Sequence, residues 1–338
     1  MAFQPYLRRI TEHGETLDRD EAAELMQLIL AGQVPDLQIG ALLAALAARG
    51  ETAAEIAGFA AAMRSAAQPL PLNDDERANL VDACGTGGDG SGTFNISTAA
   101  ALVAAAAGAT VAKHGNRAVT SQCGSADVLA ALGIPTTLSG QAAADALRRH
   151  RFCFLHAPSH HPAMKAVMPI RRALGVRTVF NILGPLLNPA GARRQVMGVY
   201  AARLLPVVGE AMTMLDTEHA LVVHGEGGLD ELALSGPSHA AEVRAGDGVR
   251  LRSIAPEDIG LTRAPLAALA GGNAQTNAAI LCSIFAGQSG PHRDVVLLNA
   301  AAVLYVAAVA PDLPTAATLA AEAIDSGSVT ELVSRLSA

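Results

Sequence analysis

The chain has 338 residues, of which 51% are hydrophobic and 16% charged, and carries a net charge of −7 with a pI near 5.8. That length can bury a large core and suggests two domains, or one large α/β domain with an appendage. The acidic balance excludes broad nucleic-acid binding, which needs surplus Lys and Arg to displace phosphate counterions, while leaving room for a local basic pocket.

The N-terminal stretch "MAFQPYLRRITEHGE" has no continuous apolar run of the secretory kind, so a cytosolic setting is expected. Through the first seventy residues the apolar spacing is helical, and "TAAE" (Thr52 to Glu55) matches a capping box ahead of the apolar face of "IAGFAAAM". A small helical domain over residues 1–70 follows. "QPLPLNDDER" (Gln68 to Arg77) reads as a linker, with a boundary near Pro71.

Beyond it strands and helices alternate: "NLVDAC" as strand, "NISTAAALVAAAAG" as helix closed by Gly108, "ATVAK" as strand and "SADVLAALG" as helix closed by Gly133. Further strands are expected at "RFCFLHA", "RQVMGVY" and "ALVVHG", and a hairpin at "EVRAGDGVRLR". The fold class that follows is α/β, with a mainly parallel central sheet flanked by helices over residues 71–338. The run from Val295 to Ala310 contains Asn299 and falls short of the roughly 20 residues of a membrane span, so it reads as a buried core helix. Four scattered cysteines, Cys84, Cys123, Cys153 and Cys282, form no CxxC pair, which suggests reduced thiols rather than a disulfide framework or a zinc site.

The first strand leads into "GTGGDGSGTFNIST". Gly85, Gly87 and Gly90 spell GxGxxG, yet the next strand ends in "KHGNR" rather than the acid that a dinucleotide site wants, and no Gly-Lys-Ser/Thr closes a P-loop. What survives is an anion site: glycines that let backbone N–H groups approach, a helix N-terminus, and the hydroxyls of Ser97 and Thr98. Lys113, His114 and Arg117 add positive charge at the same expected sheet edge. Asp89, an acid among those glycines, calls for a cation or a sugar hydroxyl between it and any phosphate, and together these features point to a magnesium complex of a phosphorylated sugar. A plain connecting turn is the alternative reading of the loop. Asp230 and Glu231, after a strand in a glycine-rich turn, read either as a cation site or as a solvated acidic helix start.

Taken together, "GTGGD", "NIST", "KHGNRAVTS", "GSADVL", "HHPAMKAVMPIRRALGVRTVFNILGPLLNPA" and "GLDEL" closely resemble the anthranilate phosphoribosyltransferase family, and the resemblance extends over nearly the whole chain. It implies transfer of the phosphoribosyl group of phosphoribosyl pyrophosphate to the amine of anthranilate in tryptophan biosynthesis, with Mg2+ as cofactor. By motif, Gly85, Gly88, Asp89, Thr93, Asn95, Ile96, Ser97, Thr98, Lys113, His114, Gly115, Asn116, Arg117, Ala118, Val119, Thr120, Ser121 and Ser125 match positions that hold phosphoribosyl pyrophosphate. Gly85, Asn116 and Arg171 match anthranilate contacts, and Ser97, Asp230 and Glu231 match metal ligands. Only the resemblance selects Arg171 over Arg172, because an exposed helix arginine is the plainer reading of either. His160 and His161 read as helix-start residues near the anthranilate side. Gln122 and Cys123 depart from the lysine or serine expected there.

The resemblance further implies a helical domain that is rejoined by a segment near 160–185, an active site in the cleft between domains, and a homodimer formed through the small domain. No nucleophile or general base is assigned, since a neutral aromatic amine needs only positioning. The rivals are a pyrimidine nucleoside phosphorylase, which would use phosphate as nucleophile, and a non-catalytic nucleic-acid-binding relative, which should be basic and lack the two acids.

Overall fold

A computed structural model describes residues 3–118 and 122–338. Four helices come first: α1 (Phe3–His13), α2 (Arg19–Leu30), α3 (Asp36–Arg49) and α4 (Ala53–Ser65). The capping box at α4 forms as its sequence dictates, with Glu55 N–H donating to Thr52 Oγ1 at 3.2 Å and Thr52 N–H to Glu55 Oε2 at 2.9 Å. A single turn, α5 (Asp74–Ala78), leads into β1 (Leu80–Gly85), α6 (Ile96–Ala106), β2 (Thr110–Gly115), α7 (Ser125–Ala131), α8 (Gly140–His150) and β3 (Phe152–His156). Then come the short α9 (Ala157–His160), α10 (Met168–Leu174) and α11 (Val179–Leu183). The chain continues through β4 (Arg194–Gly198), α12 (Leu204–Thr213), β5 (His219–His224) and the hairpin β6 (Ser238–Arg244) and β7 (Gly248–Ile254). Four helices close it: α13 (Ala274–Phe285), α14 (Pro291–Val306), α15 (Leu313–Asp325) and α16 (Ser328–Ser337).

The strands form one sheet in the order β3-β2-β1-β4-β5-β6-β7. β1 to β5 run parallel, and the hairpin adds two antiparallel strands at one edge. Alternation decides the layers. Val81, Ala83, Val111, Phe152, Phe154, Val196, Leu221 and Val223 face α6, α14 and the C-terminal helices. Met197, Ala220, Val222, Ala241 and Val243 face α12 and the helical bundle, while Ala112, Cys153 and Leu155 pack with α8 residues. Both faces of the parallel strands are covered, which is why those strands read as continuous apolar runs.

The same core that joins α1–α4 includes Val167 and Ile170 of the α10 region and Val179, Phe180, Ile182 and Leu183 of α11, so the middle of the chain folds back onto the bundle. The buried helix expected from Val295 is α14, which begins earlier, at Pro291, and ends at Val306. The residues after it leave the helix, and Ala308 takes φ +58°. No described helix is long and apolar enough to cross a membrane.

Candidate active site

β1 is where the sheet's winding reverses: β2 and β3 lie on one side of it, β4 and β5 on the other. Open α/β sheets place ligands outside the carboxyl ends of the strands at such a point. Here that edge receives the glycine loop after β1, the segment after β2 and the 225–235 segment after β5.

Asp230 lies at the centre of these segments. Its Oδ2 accepts from Gly87 N–H at 2.7 Å, and it approaches so closely that a Cβ on Gly85 would stand 2.3 Å from Oδ2 and one on Gly198 1.6 Å from its carbonyl oxygen. Only glycine fits at those two strand ends. Asp89 accepts from Ser91 N–H at 3.2 Å and from Asp230 N–H at 3.4 Å, so the acid in the glycine loop clasps the loop to the segment that bears the acidic pair. Glu231 Oε1 accepts from Ser97 N–H at the start of α6, at 3.2 Å. Lys113 is buried; its Nζ donates to Ala83 O and lies 3.4 Å from Ser97 Oγ.

Both carboxyls of the pair are held well above the usual carboxylate range. Burial is the first cause in each case, followed by the negative charge of Asp89 at Asp230 and of Asp230 at Glu231. A divalent cation would relieve that charge, and two carboxylates with the Ser97 hydroxyl are the hard oxygen donors magnesium takes. Among the described residues no three or more His, Cys, Asp or Glu gather as a metal cage. A partial protein donor set suits an ion that keeps waters and substrate oxygens in its shell.

The β1–β2 ladder pairs Leu80 with Thr110 and Val81 with Val111. Past those pairs, side chains make the links: Asp82 Oδ1 accepts from His114 N–H at 3.0 Å, and Lys113 caps Ala83 O. Successive residues of β2 therefore serve opposite faces. Lys113 meets Ser97, while His114 stands edge-on to His161 with ring centroids 5.7 Å apart. Burial pushes His114 down to about 3, with the charge of His161 adding to the effect, and its Nε2 has no hydrogen-bond partner among the described residues. Asn116 and Arg117 are exposed at the rim. Asp127 organises this segment, accepting from Ala118 N–H at 2.9 Å, Gly124 N–H at 3.0 Å and Arg117 Nη1 at 3.3 Å, and Gly115 and Ser125 flank it. Val119, Thr120 and Ser121 lie outside the described residues.

At the loop's other end, Ser91 Oγ and Thr93 Oγ1 lie 3.2 Å apart, and Thr93 bridges to Ala270. Asn95 donates to Cys123 O at 3.2 Å and accepts from Asn277 Nδ2 at 2.9 Å. Ile96 and Thr98 are buried beneath them. Arg171 is half-buried, its guanidinium carbon 5.3 Å from the Phe180 ring centroid and its Nη1 3.7 Å from Met168 Sδ, whereas Arg172 is exposed. His160 closes α9 rather than starting a helix: its carbonyl accepts from Gln68 N–H at 3.0 Å and its Nδ1 lies 3.4 Å from Gln68 O, which ties it to the linker. His161 does precede a turn of 3-10 helix, and its Nε2 contacts Leu187 O at 2.9 Å.

Several residues at the site were missed by the sequence reading. Arg177 Nη2 donates to Gly88 O, with the guanidinium over the Tyr200 ring at 4.2 Å. Tyr200 N–H donates to Thr86 Oγ1 at 3.1 Å. Asp82, Asp127 and Asn277 complete the set. A polar residue inside an apolar run, such as Asp82 in "LVDAC", was the available signal, since a buried polar group must have a partner.

Two domain profiles match the chain: the helical bundle domain of the glycosyl transferase family over residues 4–67 and its a/b domain over residues 77–330. The fold and site thus define a two-domain glycosyl transferase. The anthranilate phosphoribosyltransferase of Chloroflexus aggregans is 53% identical over 321 residues, covering 95% of this chain and 93% of that one. Among solved structures, the Thermus thermophilus enzyme of the same name superposes with a TM-score of 0.92 at 46% identity, covering 99% of this chain and 98% of that one. The Saccharomyces cerevisiae enzyme in complex with PRPP and Mg does so with a TM-score of 0.88 at 26% identity, covering 99% and 96%. Within the glycosyl transferases, the chain belongs to the anthranilate phosphoribosyltransferase family.

Proposed function

We propose that the chain transfers the 5-phosphoribosyl group of phosphoribosyl pyrophosphate to the amine of anthranilate, giving N-(5-phosphoribosyl)anthranilate and pyrophosphate, a step of tryptophan biosynthesis. The observation that carries this reading is the convergence of the glycine loop, Lys113 and the under-compensated pair Asp230 and Glu231 at one sheet edge. The amine lone pair forms a bond to the anomeric carbon as the bond to the pyrophosphate oxygen breaks, the electron pair leaves with pyrophosphate, and the proton that the nitrogen then sheds passes to solvent. Asp230, Glu231 and Ser97 would hold magnesium, which supplies positive charge against the departing pyrophosphate.

The phosphoribosyl pyrophosphate positions are those of the glycine loop (Gly85, Gly88, Asp89, Thr93), the start of α6 (Asn95 to Thr98), and Lys113 through Ser121 with Ser125. Lys113 and Arg117 add fixed positive charge where negative charge grows. His114 stays neutral at physiological pH and lines the pocket. Arg171 receives the anthranilate carboxylate through its planar fork of donors, with Gly85 and Asn116 beside the ring. Residues 1–70 with 160–185 act as the small domain. The chain acts as a homodimer through that domain and in the cytosol, as its family resemblance implies.

Anthranilate fluorescence tests the proposal. With phosphoribosyl pyrophosphate and Mg2+ the signal should fall with time, and no fall from folded protein would reject the reading.

A further inference from the structure

α14 runs through the core as an apolar helix interrupted by Asn299, which is 2% exposed. A carboxamide buried among Leu298, Ala300 and Val303 is costly unless its atoms are hydrogen-bonded. Asn299 Oδ1 accepts from Leu232 N–H at 3.0 Å, while Nδ2 donates to Leu232 C=O at 2.9 Å and to Val295 C=O, one helical turn back, at 2.9 Å. The two bonds to Leu232 form the kind of two-point pair that joins neighbouring strands, made here between a helix side chain and a loop backbone.

Leu232 directly follows Asp230 and Glu231. Its neighbour Ala233 is also held by a side chain, donating to Ser238 Oγ at 2.9 Å, and upstream Gly225 N–H donates to Leu229 C=O at 2.7 Å. The acidic pair therefore sits on a short backbone segment pinned on both sides. Asn299 also lines a small crevice together with Cys84, Ser97, Gly198 and Glu231, which places its carboxamide close to the acid it supports.

We infer that Asn299 is a positioning residue: its pairing with Leu232 sets where Asp230 and Glu231 stand relative to Ser97 and the glycine loop. The inference rests on the reading of those two acids as the metal-holding pair. Asn299 itself touches no substrate. It fixes the backbone from which both carboxylates project, so that they need no rearrangement when a cation arrives.

Two variants of the full-length protein test this. Asn299→Leu leaves both Leu232 groups without partners, and Asn299→Asp keeps the acceptor but loses the donor. Amide hydrogen exchange of the peptide spanning residues 229–234 should speed up about tenfold or more in Asn299→Leu, the scale expected when a buried hydrogen-bond pair is lost. Mn2+ binding in the presence of phosphoribosyl pyrophosphate, read by electron paramagnetic resonance, should weaken about tenfold, while KM for anthranilate is unchanged. Asn299→Asp should fall between wild type and Asn299→Leu, and decides the question by the same measurements if Asn299→Leu does not fold. Exchange that stays at the wild-type rate overturns the inference, and so does fast exchange with wild-type Mn2+ affinity. An Asp230→Ala/Glu231→Ala control keeps the two readings apart: unaltered Mn2+ affinity there sinks the metal assignment, whereas the exchange rates report the hold on Leu232 independently.

Discussion

The same sheet carries two buried acidic clusters with opposite electrostatics. On the antiparallel strands, Glu242 is surrounded by donors: His219 Nε2 at 3.0 Å, Tyr305 OH at 2.7 Å, Arg244 Nε at 3.1 Å and Arg252 Nη1 at 2.9 Å. Its carboxyl is held well below the usual range, first by the His219 hydrogen bond and then, against burial, by Tyr305 and Arg252. At the carboxyl edge, Asp89, Asp230 and Glu231 have backbone N–H partners and, among the described residues, one nearby buried cation, Lys113, and the pair is pushed up. The first cluster is complete and clasps β5, β6 and α14 together. The second gathers carboxyls that the fold does not pair with enough positive charge to hold them ionised, and a bound cation would supply what is missing.

Removing each cluster should therefore have opposite consequences. Replacing Asp230 and Glu231 together with alanine should cost about 10³-fold in activity at low magnesium, the scale of losing electrostatic stabilisation of a leaving group. The melting temperature should hold or rise, because an unfavourable buried charge is gone. Activity assays across a magnesium titration, with a thermal melt of each variant, check this. Full activity in the double variant would break the comparison.

Arg171 extends the same contrast to cations. Arg244 and Arg252 have an acid partner in Glu242, whereas Arg171 contacts an aromatic face and a thioether and is lowered by burial. An under-compensated guanidinium is suited to a carboxylate ligand. Arg171→Lys should raise KM for anthranilate about 10-fold, since an ammonium cannot make the two-pronged contact, and should leave KM for phosphoribosyl pyrophosphate unchanged. Arg244→Lys should alter neither constant. Steady-state kinetics in both substrates separate the cases.

Much of this was legible from the residues alone. The strand-helix alternation, the capping box at Thr52 and the hairpin at Gly246 to Gly248 are written in local pattern, because each depends on neighbours in sequence. The segments carrying the candidate site were legible from order and spacing of motifs. What could not be read was which distant groups hold them. Asn299 was visible as a polar break in an apolar run, but its partner Leu232 lies 67 residues away. Arg177 reads as an ordinary surface arginine until the fold brings Gly88 O to it. Asp89 looks, in sequence, like a group aimed at a ligand, and nothing in the loop's pattern reveals that it also accepts from Ser91 N–H and Asp230 N–H. Hydrogen bonds across the sheet edge are set by register and winding, which local pattern does not encode.

The smallest expected effect concerns Glu242, and its sign follows from linkage. A carboxyl whose folded value lies below its unfolded value of about 4.3 adds stability that is fully present above that pH and is lost as pH falls toward the folded value. Arg244 and Arg252 are partly exposed, so screening reduces what the cluster contributes. Glu242→Gln should lower the melting temperature near pH 7 by roughly 2–4 °C, the shift expected for a loss of about 1 kcal/mol in a domain of this size. The gap to wild type should stay constant between about pH 6 and 8 and narrow below about pH 4, where the unfolded carboxyl takes up its proton. Activity at neutral pH and 25 °C should be unchanged, because the cluster touches none of the loops at the carboxyl edge. A gap independent of pH would show that Glu242 acts through packing alone. A fall in activity without a fall in melting temperature would mean that the complete cluster reaches the candidate site.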